Sequence, residues 1–361
     1  MRVGVVLEQV LAPVPGGTGR YSREVATALA RVAAPGDGVE GWVAWHSDVS
    51  RAQVAGLVAS RRLPLPRRAL TLLWERGAGP APRGVDLVHA PTLLVPPRSG
   101  RPLVVTIHDA VPWTHAQTLT RRGAVWHRQM ARRAAAQADA VVVPTAAVAE
   151  ELSRYVSVPQ VHVVGEGVAA TLAVPPDAAR RARRIGLPPR YFVSVGTLEP
   201  RKGLDVAIRA VASGGGAGLP LLVVGQAGWG GVDLRGARVE TSVRWLGRVD
   251  DADLAVVLSR ATALIAPSRS EGFGLPVLEA MALGTPVVAS AAPALVEVAA
   301  GAAIHVPVDD VEALTRALAA VADDEPLRRR MAEAGRARAT CFSWDQCARR
   351  LWRLYDDVLG R

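Results

Sequence analysis

The stretch SRSEGFGLPVLEAMALGTPVVAS, Ser268 to Ser290, carries the strongest pattern in the chain. A Gly-Phe-Gly turn is followed by Pro276 at the expected first position of a helix, where its missing N–H leaves no hydrogen bond unmade. The apolar runs on either side, ATALIAPS before the turn and TPVVAS after the helix, predict buried strands. A strand, a tight turn, a helix and a second strand in this order are typical of a parallel α/β sheet.

The turn itself predicts an anion site. Gly272 and Gly274 allow the backbone to approach a ligand closely, and the helix start presents free N–H groups at the positive end of its dipole. The residues expected to supply these groups are Phe273, Gly274 and Leu275. Glu271 precedes the turn and Glu279 follows it by one helical turn, so both carboxylates can accept hydrogen bonds from sugar hydroxyls. We therefore expect a ligand that combines phosphate with a sugar.

The same alternation of strand and helix runs along the whole chain. The apolar runs are continuous, as in strands buried on both faces, and the segments between them have helical periodicity. The predicted strands of the first half are VGVVLEQ, GWVAWHS, VDLVHAP, PLVVTIHD, DAVVVPT and VHVVGEG. Those of the second half are YFVSVGT, PLLVVGQ, VRWLG, ATALIAPS, TPVVAS and AIHVP. This pattern predicts doubly wound parallel α/β structure.

A chain of 361 residues is long enough for two such domains. Prolines on both sides of an arginine-rich helical segment mark the break, and a new strand begins at Tyr191. We place an N-terminal domain at residues 1–170, a C-terminal domain at 171–340, and a helix that packs back across the domains at 341–361. Because ligands of such sheets bind at the carboxyl ends of the strands, the cleft between the domains is the expected site.

The composition narrows the classes of partner. The formal net charge of +10 is spread over helical segments, without a zinc-finger, basic-zipper or aromatic RNA-binding pattern. We therefore expect no nucleic-acid partner, and we leave open an attraction of the arginine-rich surface to anionic lipid or substrate. The apolar runs are too short to span a bilayer, and two cysteines in so long a chain suit a reducing compartment. The expected location is cytoplasmic, either free or peripheral at the cytoplasmic membrane face.

The stretch VGTLEPRKGL, which begins at Val195, holds the only lysine among the 43 basic residues. Lys202 lies between a predicted strand and a predicted helix. An ammonium group is a compact, strongly hydrated point charge, which a planar guanidinium does not replace at a tight diphosphate site. The survival of one lysine at this position indicates a role that an arginine would not fill.

These two stretches resemble the motifs of the family-four retaining glycosyltransferases, which have the GT-B fold of two Rossmann-like domains facing a central cleft. Glu271 and Glu279 match the family's Glu-seven-residues-Glu motif, and Lys202 takes the lysine position of its G-x-L-x-x-x-K-G segment. Thr197 stands where many members carry an arginine, so Arg201 is expected to supply the second charge. The resemblance covers essentially the whole chain.

The resemblance implies roles for further residues. Lys202, Arg201 and Glu271 would be catalytic, with the two cations against the donor diphosphate, and neither a metal ion nor another cofactor is expected. The residues implied to bind the donor are Gly17, Gly196, Thr197, Gly225, Val249, Phe273, Gly274, Leu275 and Glu279. Asp251 and Asp253 imitate a metal-binding D-x-D pattern, but aspartates at the entry to a helix are better explained as capping residues.

The N-terminal half is implied to supply the acceptor side and one catalytic residue. His108, at the end of a predicted strand, matches the family histidine that faces the transferred sugar. A loop containing Gly16, Gly17 and Gly19 is predicted between the first strand and the first helix. The residues assigned to the acceptor side are Gly19, Arg20, Tyr21, Asp109 and Trp113. Glu166 is a departure, because relatives often carry asparagine there.

The implied reaction is transfer of a hexose from a nucleoside diphosphate sugar to a hydroxyl group, with retention of the anomeric configuration. The GTLEPRK variant resembles mannosyl and related hexosyl transferases, so GDP-mannose is the first expected donor and a UDP-hexose the second. A saccharide or lipid-linked acceptor in cell-envelope or polysaccharide biosynthesis is expected. The alternatives are a phosphorylase or sugar-nucleotide epimerase of the same fold, and an NAD-dependent dehydrogenase, against which the missing G-x-G-x-x-G pattern counts.

Overall fold

The computed structural model describes residues 1–46, 50–158, 160–216, 218–228 and 243–361. The chain divides into two compact units, one of residues 1–167 with 343–361 and the other of residues 168–342. Each unit is built on a parallel β-sheet with helices between its strands. The doubly wound α/β architecture predicted from the strand pattern is therefore confirmed.

The first unit contains a seven-stranded sheet. Its strands are β1 (Arg2–Val6), β2 (Gly38–Trp45), β3 (Ala59–Pro66), β4 (Leu87–Ala90), β5 (Leu103–Thr106), β6 (Ala140–Val143) and β7 (Val161–Val163). They lie in the order β3-β2-β1-β4-β5-β6-β7 and pair in parallel throughout. The helices of this unit are α1 (Gly16–Val32), α2 (Arg67–Glu75), α3 (Val111–Thr114), α4 (Arg121–Gln137), α5 (Ala146–Ser153) and, at the C-terminus, α13 (Trp344–Leu359).

The strand β3 is an addition to the strands predicted for this half. Its sequence ASRRLPLP is largely exposed, with Leu63 the one buried side chain among its described residues. It lies at the edge of the sheet beside β2, where proline is tolerated because one side of the strand makes no ladder hydrogen bonds. The pattern of a strand buried on both faces therefore could not reveal it.

The second unit contains a six-stranded sheet. Its strands are β8 (Phe192–Val195), β9 (Leu221–Val224), β10 (Val243–Gly247), β11 (Ala263–Ala266), β12 (Val287–Ser290) and β13 (Ile304–Val306). They lie in the order β10-β9-β8-β11-β12-β13, again in parallel. Its helices are α6 (Ala178–Ile185), α7 (Leu204–Ala212), α8 (Asp251–Arg260), α9 (Leu275–Ala282), α10 (Pro293–Ala299), α11 (Val311–Asp323) and α12 (Glu325–Ala339).

The C-terminal helix α13 is part of the first unit. Ser343 caps its start by accepting a hydrogen bond from the backbone N–H of Gln346 at 3.1 Å. The indole of Trp352 donates to the carbonyl of Leu29 on α1 at 3.0 Å. Among the residues that the structure describes, no helix combines the length and the hydrophobicity that crossing a bilayer requires.

A buried polar chain also ties α13 to the sheet. The Tyr355 hydroxyl lies 2.6 Å from Nδ1 of His89 on β4, and Nε2 of His89 lies 2.9 Å from the Thr106 hydroxyl. Burial, with a smaller contribution from nearby His108, lowers the pKa of His89 to about 3, so this imidazole is neutral at pH 7. The neutral ring can donate at one nitrogen and accept at the other.

Removing the Tyr355 hydroxyl is expected to destabilise the first unit. Tyr355→Phe leaves the buried Nδ1 of His89 without its hydrogen bond, which costs about 1–3 kcal/mol of the free energy of unfolding. Urea unfolding of the variant measures this loss. Tyr155→Phe is the matched control, because that side chain is 42% exposed, and it should change the free energy of unfolding little. Equal effects of the two substitutions would contradict the role given to the Tyr355–His89 bond.

Candidate active site

The Gly-Phe-Gly turn lies in the second unit between β11 and α9. Gly274 has a left-handed φ of 97°, and a Cβ there would lie 2.4 Å from the side chain of Leu295. The helix begins one residue before Pro276, which is therefore its second residue and not its first as predicted. Phe273 is buried and contacts the ring of Phe342 edge-on, with centroids 5.6 Å apart. The turn is thus anchored at the end of α9 that carries the free N–H groups.

A second turn, between β8 and α7, packs directly on the first. Residues Pro200–Lys202 form a short 3-10 turn that ends at Gly203, whose φ is 62°. A Cβ on Gly203 would lie 2.0 Å from the carbonyl oxygen of Pro267. The backbone N–H of Arg269 donates to the carbonyl of Arg201 at 2.8 Å. The two motifs recognised in the sequence therefore form one site.

Lys202 and Glu271 meet where these turns touch. Nζ of Lys202 lies 2.6 Å from Oε1 of Glu271, and the Ser268 hydroxyl donates to the same oxygen at 2.7 Å. Arg201 donates to the other carboxylate oxygen at 3.1 Å. The predicted cations and the first acid of the motif are thus one hydrogen-bonded cluster.

Arg201 is also held by an acid that the sequence reasoning did not select. Its guanidinium donates to Oε1 of Glu199 at 2.7 Å and to the carbonyl of Ser270 at 3.0 Å. Glu199 is 3% exposed, and the Arg201 guanidinium compensates the cost of burying its carboxylate. Arg201 therefore joins the two turns, and its second carboxylate partner lies two residues before it in the GTLEPRK stretch.

The cluster keeps Glu271 ionised. Burial opposes ionisation of this carboxyl group, but the charges of Lys202 and Arg201 outweigh burial and hold its pKa lowered to about 2. The hydrogen bonds from Lys202 and Ser268 act in the same direction. Glu271 is therefore a fully charged acceptor at pH 7.

A pocket opens beside the cluster at the carboxyl ends of β8 and β11. Its walls include Ser194, Val195, Lys202, Glu271, Gly274 and Leu295. Of the two cations in the cluster, Lys202 lines the pocket. Arg201 instead donates hydrogen bonds to Glu199, Glu271 and the carbonyl of Ser270. The pocket thus combines an ammonium, a carboxylate and the start of α9.

The other donor residues of the second unit lie at the same edge of this sheet or on α9, whereas Gly17 lies on α1 of the first unit. Gly196, Gly225 and Val249 follow the adjacent strands β8, β9 and β10. A Cβ on Gly225 would lie 1.8 Å from the carbonyl oxygen of Gly196, so the two strand ends approach backbone to backbone. Thr197 follows Gly196, and Glu279 is 2% exposed on α9.

The capping role predicted for Asp251 and Asp253 belongs to their neighbour Asp250, while Asp253 forms ion pairs and Asp251 accepts a hydrogen bond. Asp250 caps α8 by accepting from the backbone N–H of Asp253 at 2.7 Å. The Asp253 carboxylate binds Arg184 at 2.6 Å, and Asp251 accepts from the hydroxyl of Thr171 at 2.6 Å. Across the described ranges, no group of three or more His, Cys, Asp or Glu side chains could hold a metal ion.

In the first unit, the loop predicted to contain Gly16, Gly17 and Gly19 is wrong, because these glycines already belong to α1. The helix α1 begins at Gly16, so Gly17 and Gly19 lie in its first turns and not in a loop. A Cβ on Gly19 would lie 2.4 Å from the ring of Pro15, whereas Gly17 faces open space. Close packing of the helix start on Pro15 explains why glycine, normally a poor helix former, is accepted there.

Arg20 and Tyr21 follow within α1, and Tyr21 points into the interior. Its side chain is 1% exposed, and its hydroxyl lies 3.2 Å from the Thr106 hydroxyl. Its ring contacts His108 edge-on with centroids 4.6 Å apart. Burial raises the pKa of Tyr21 well above its ordinary value. In this structure Tyr21 packs against the candidate histidine.

His108 lies just past the carboxyl end of β5. Its Nε2 is 2.8 Å from the carbonyl oxygen of Pro91, and its Nδ1 is 3.7 Å from a carboxylate oxygen of Glu166. The Asp109 carboxylate accepts a hydrogen bond from the backbone N–H of Val111 at 3.1 Å. Glu166, noted from sequence only as a departure, is thus beside the histidine.

Trp113, the remaining residue assigned to the acceptor, lies on α3. Its indole stacks on the ring of Tyr155, with centroids 5.6 Å apart and an interplanar angle of 13°. Tyr155 is 42% exposed. The pair presents an aromatic surface on the first unit.

Comparison with known sequences decides the family. The family model described as Glycosyl transferases group 1 matches residues 175–338, and the model Glycosyltransferase Family 4 matches residues 15–172. O-antigen chain mannosyltransferase B of Escherichia coli is 30% identical over 306 residues, which are 80% of this chain and 79% of that enzyme. The chain belongs to this glycosyltransferase family. It is therefore a hexosyltransferase, as the resemblance implied.

Other relatives of this glycosyltransferase are more varied. D-inositol 3-phosphate glycosyltransferase of Salinispora arenicola is 33% identical over 295 residues, or 73% of this chain, which spans 65% of that enzyme. Sucrose-phosphate synthase from Thermosynechococcus elongatus has a similar structure, with a TM-score of 0.80, 23% identity and coverage of 100% of this chain and 99% of that one. The structural likeness confirms the GT-B fold.

Gly203 offers a test of how the glycosyltransferase site is assembled. Gly203→Ala is expected to destabilise the second unit by more than about 1 kcal/mol, because φ is left-handed and the new Cβ meets the Pro267 carbonyl. Gly214→Ala is the matched control, since φ there is 86° but nothing lies within 4 Å of the Cβ position. Thermal unfolding should therefore show the larger loss for Gly203→Ala. Equal losses would mean that the contact between the turns adds nothing.

Proposed function

We propose that this glycosyltransferase transfers a hexose, in the first place mannose from GDP-mannose, to a hydroxyl group of a saccharide or lipid-linked acceptor with retention of the anomeric configuration. One observation carries the proposal. Lys202 and Glu271 lie 2.6 Å apart in the wall of a pocket at the start of α9. A cation and free backbone N–H groups suit a diphosphate, and a carboxylate suits sugar hydroxyls.

The charges of the cluster support a diphosphate ligand. Lys202 and Arg201 are paired with Glu199 and Glu271, so the cluster is balanced when it is empty. A diphosphate adds negative charge, for which Lys202 and the start of α9 are the partners in the pocket wall. When the ammonium moves to phosphate, Glu271 can accept from a sugar hydroxyl.

In the proposed reaction, negative charge develops on the diphosphate as the bond to the anomeric carbon breaks. Lys202 and the N–H groups at Phe273 to Leu275 are proposed to stabilise it, and such donors are typically worth about 3–4 kcal/mol each. The sugar becomes oxocarbenium-like, and the acceptor hydroxyl attacks the face that the diphosphate leaves. The departing phosphate oxygen takes the acceptor proton. His108 is proposed to contact the transferred sugar.

Mannose is the lead sugar on two grounds. The E. coli relative is named as a mannosyltransferase, and the GTLEPRK variant resembles mannosyl and related hexosyl transferases. A UDP-hexose is the second choice, because the relatives include enzymes named for other acceptors and products. Metal-independent transfer, a cytoplasmic location and peripheral attachment to the membrane through the arginine-rich surface are parts of the same proposal.

A transfer assay tests the proposal. The enzyme is incubated in EDTA with GDP-mannose, UDP-glucose or ADP-glucose and a panel of saccharide acceptors, and nucleotide release and product are followed. We expect one donor to be consumed in proportion to acceptor, and NMR of the product to show the anomeric configuration of the donor. An inverted product would contradict the proposed stereochemistry, and activity only after adding Mg²⁺ would contradict metal independence.

Two further arms separate the alternatives. Donor turnover without any acceptor, giving an isomeric sugar, would identify an epimerase. Formation of a sugar phosphate only when inorganic phosphate is added would identify a phosphorylase. Either result would replace the transferase proposal.

A further inference from the structure

Glu166 and His108 form a buried pair inside the first unit. The carboxylate oxygen lies 3.7 Å from Nδ1 of His108, and the two side chains are 5% and 15% exposed. Burying a carboxylate is costly unless another group compensates its charge. The imidazole of His108 is the group that the structure brings to it.

The hydrogen bond made by Nε2 of His108 determines whether Nδ1 carries a proton. Nε2 of His108 lies 2.8 Å from the carbonyl oxygen of Pro91, which only accepts hydrogen bonds, so Nε2 carries a hydrogen. A neutral His108 would then direct a bare Nδ1 lone pair at the Glu166 carboxylate, and two acceptors would face each other. A proton between Nδ1 and the carboxylate turns this repulsion into a charge-assisted contact.

We propose that Glu166 is a positioning residue, which forms an ion pair with the protonated Nδ1 of His108 and thereby holds the imidazole as a cation in one orientation at the end of β5. The proposal rests on the proposed function only where it gives His108 a part in sugar transfer. The protonation of Nδ1 follows from the two contacts of the ring.

Among the groups that surround His108, Glu166 supplies the negative charge that balances the imidazolium. His89 on β4 is neutral at pH 7, as its low pKa requires, and Tyr21 on α1 is neutral because burial raises its pKa. Asp109 follows His108 in the chain and contributes a weaker attraction, while its carboxylate accepts from the N–H of Val111. Glu166 alone combines a close approach to Nδ1 with nearly complete burial among these groups.

The expected titration follows from this arrangement. Burial opposes protonation of His108, but Glu166, the Pro91 carbonyl and Asp109 outweigh burial and raise the pKa of His108 above 6.5. A raised pKa in the folded state means that the pair stabilises the first unit fully below pH 6.5. That stabilisation is lost as the pH rises through the pKa of the folded state.

Glu166→Gln separates charge from orientation. The amide of glutamine has a donor to offer to Nδ1, so a neutral His108 no longer faces an acceptor there, while the counter-charge is gone. Glu166→Asn is the second variant in case the first disturbs folding. Glu150→Gln is the control, because Glu150 is 74% exposed and pairs with Arg154 on the surface of the same unit.

The direct readout is the pKa of each histidine by NMR of ring-labelled full-length protein, with His108 assigned from its loss in His108→Gln. We expect the pKa of His108 to fall by about one to three pH units in Glu166→Gln and to stay unchanged in Glu150→Gln. The pH dependence of kcat/KM for sugar transfer should move with it, so that an inflection of the wild type shifts to lower pH. A purely structural role would not move either curve.

The two readouts fail separately. An unchanged pKa of His108 in Glu166→Gln and Glu166→Asn would overturn the ion pair with Glu166, whatever the enzyme does. A shifted pKa with an unchanged profile of kcat/KM would overturn the positioning role in transfer. If the wild type transferred no sugar at all, the proposed function would fail, and the NMR titration would still decide whether Glu166 forms the ion pair.

Discussion

Lys202→Ala is expected to lower kcat for sugar transfer by about 10²–10³-fold. Lys202 is the cluster cation in the lining of the pocket, and its ammonium is held 2.6 Å from Glu271 before any ligand binds. Removing one preorganised donor from a developing negative charge typically costs about 2.7–4 kcal/mol of transition-state stabilisation. Steady-state kinetics with the best donor measures the loss.

Lys202→Arg sharpens the same prediction. The guanidinium keeps the charge but is planar and larger, so we expect most of the loss to remain. Arg316→Ala is the control for removing one positive charge, because its side chain is 71% exposed on α11, and it should leave kcat near the wild-type value. Full activity of Lys202→Arg would show that the site needs only a positive charge. Full activity of Lys202→Ala would remove the residue from the mechanism.

Glu271→Gln is expected to give the largest loss of stability. The substitution removes the carboxylate charge that both Lys202 and Arg201 contact, and breaking a buried ion pair from one side costs about 3–5 kcal/mol. Part of the loss should be recovered when GDP or UDP is added, because the diphosphate supplies the missing negative charge. Thermal unfolding with and without nucleotide measures both effects.

The pH dependence of stability gives a second view of Glu271. Its pKa is lowered from 4.5 to about 2 in the folded protein. The contribution of the ionised Glu271 to the free energy of unfolding is about 3 kcal/mol. It is fully present above pH 4.5 and is lost as the pH falls through about 2. Glu271→Gln should lack this part of the acid transition.

Glu312→Gln is the control for both measurements, because its side chain is 89% exposed. We expect it to unfold like the wild type at every pH. If Glu271→Gln also unfolded like the wild type, the cluster would contribute no net stability. If nucleotide stabilised the wild type but not Glu271→Gln, the carboxylate would be needed for binding and would not compete with the diphosphate for Lys202.

The fold could be predicted from the sequence because its strands are buried on both faces. Continuous apolar runs such as PLLVVGQ and DAVVVPT leave little choice of structure, and every strand predicted from such a run is present. The edge strand β3 was missed because it carries arginines and prolines and buries only Leu63. The start of α1 was misplaced because three glycines favour a loop in isolation, and packing against Pro15 was not visible in the sequence.

The site could be predicted in part for the same kind of reason. Lys202 and Glu271 stand in local patterns, and the family resemblance assigned both to the donor, although their direct contact was not predicted. Glu199 stands inside the GTLEPRK stretch but was not selected, because its pairing with Arg201 was not foreseen. Glu166 was not selected because its role is defined by its contact with His108. Glu166 lies 58 residues from His108 in the sequence, and local spacing cannot reveal that contact.

Nucleotide binding tests the central claim most directly. Thermal unfolding of the wild type, Lys202→Ala and Arg316→Ala is followed in EDTA with GDP, UDP or ADP. At a concentration 100 times Kd, one nucleotide should stabilise the wild type and Arg316→Ala by about 2.7 kcal/mol, or about 5–10 °C, and Lys202→Ala much less. A wild type that none of the nucleotides stabilises, or a Lys202→Ala protein stabilised equally, would contradict a diphosphate site built on Lys202.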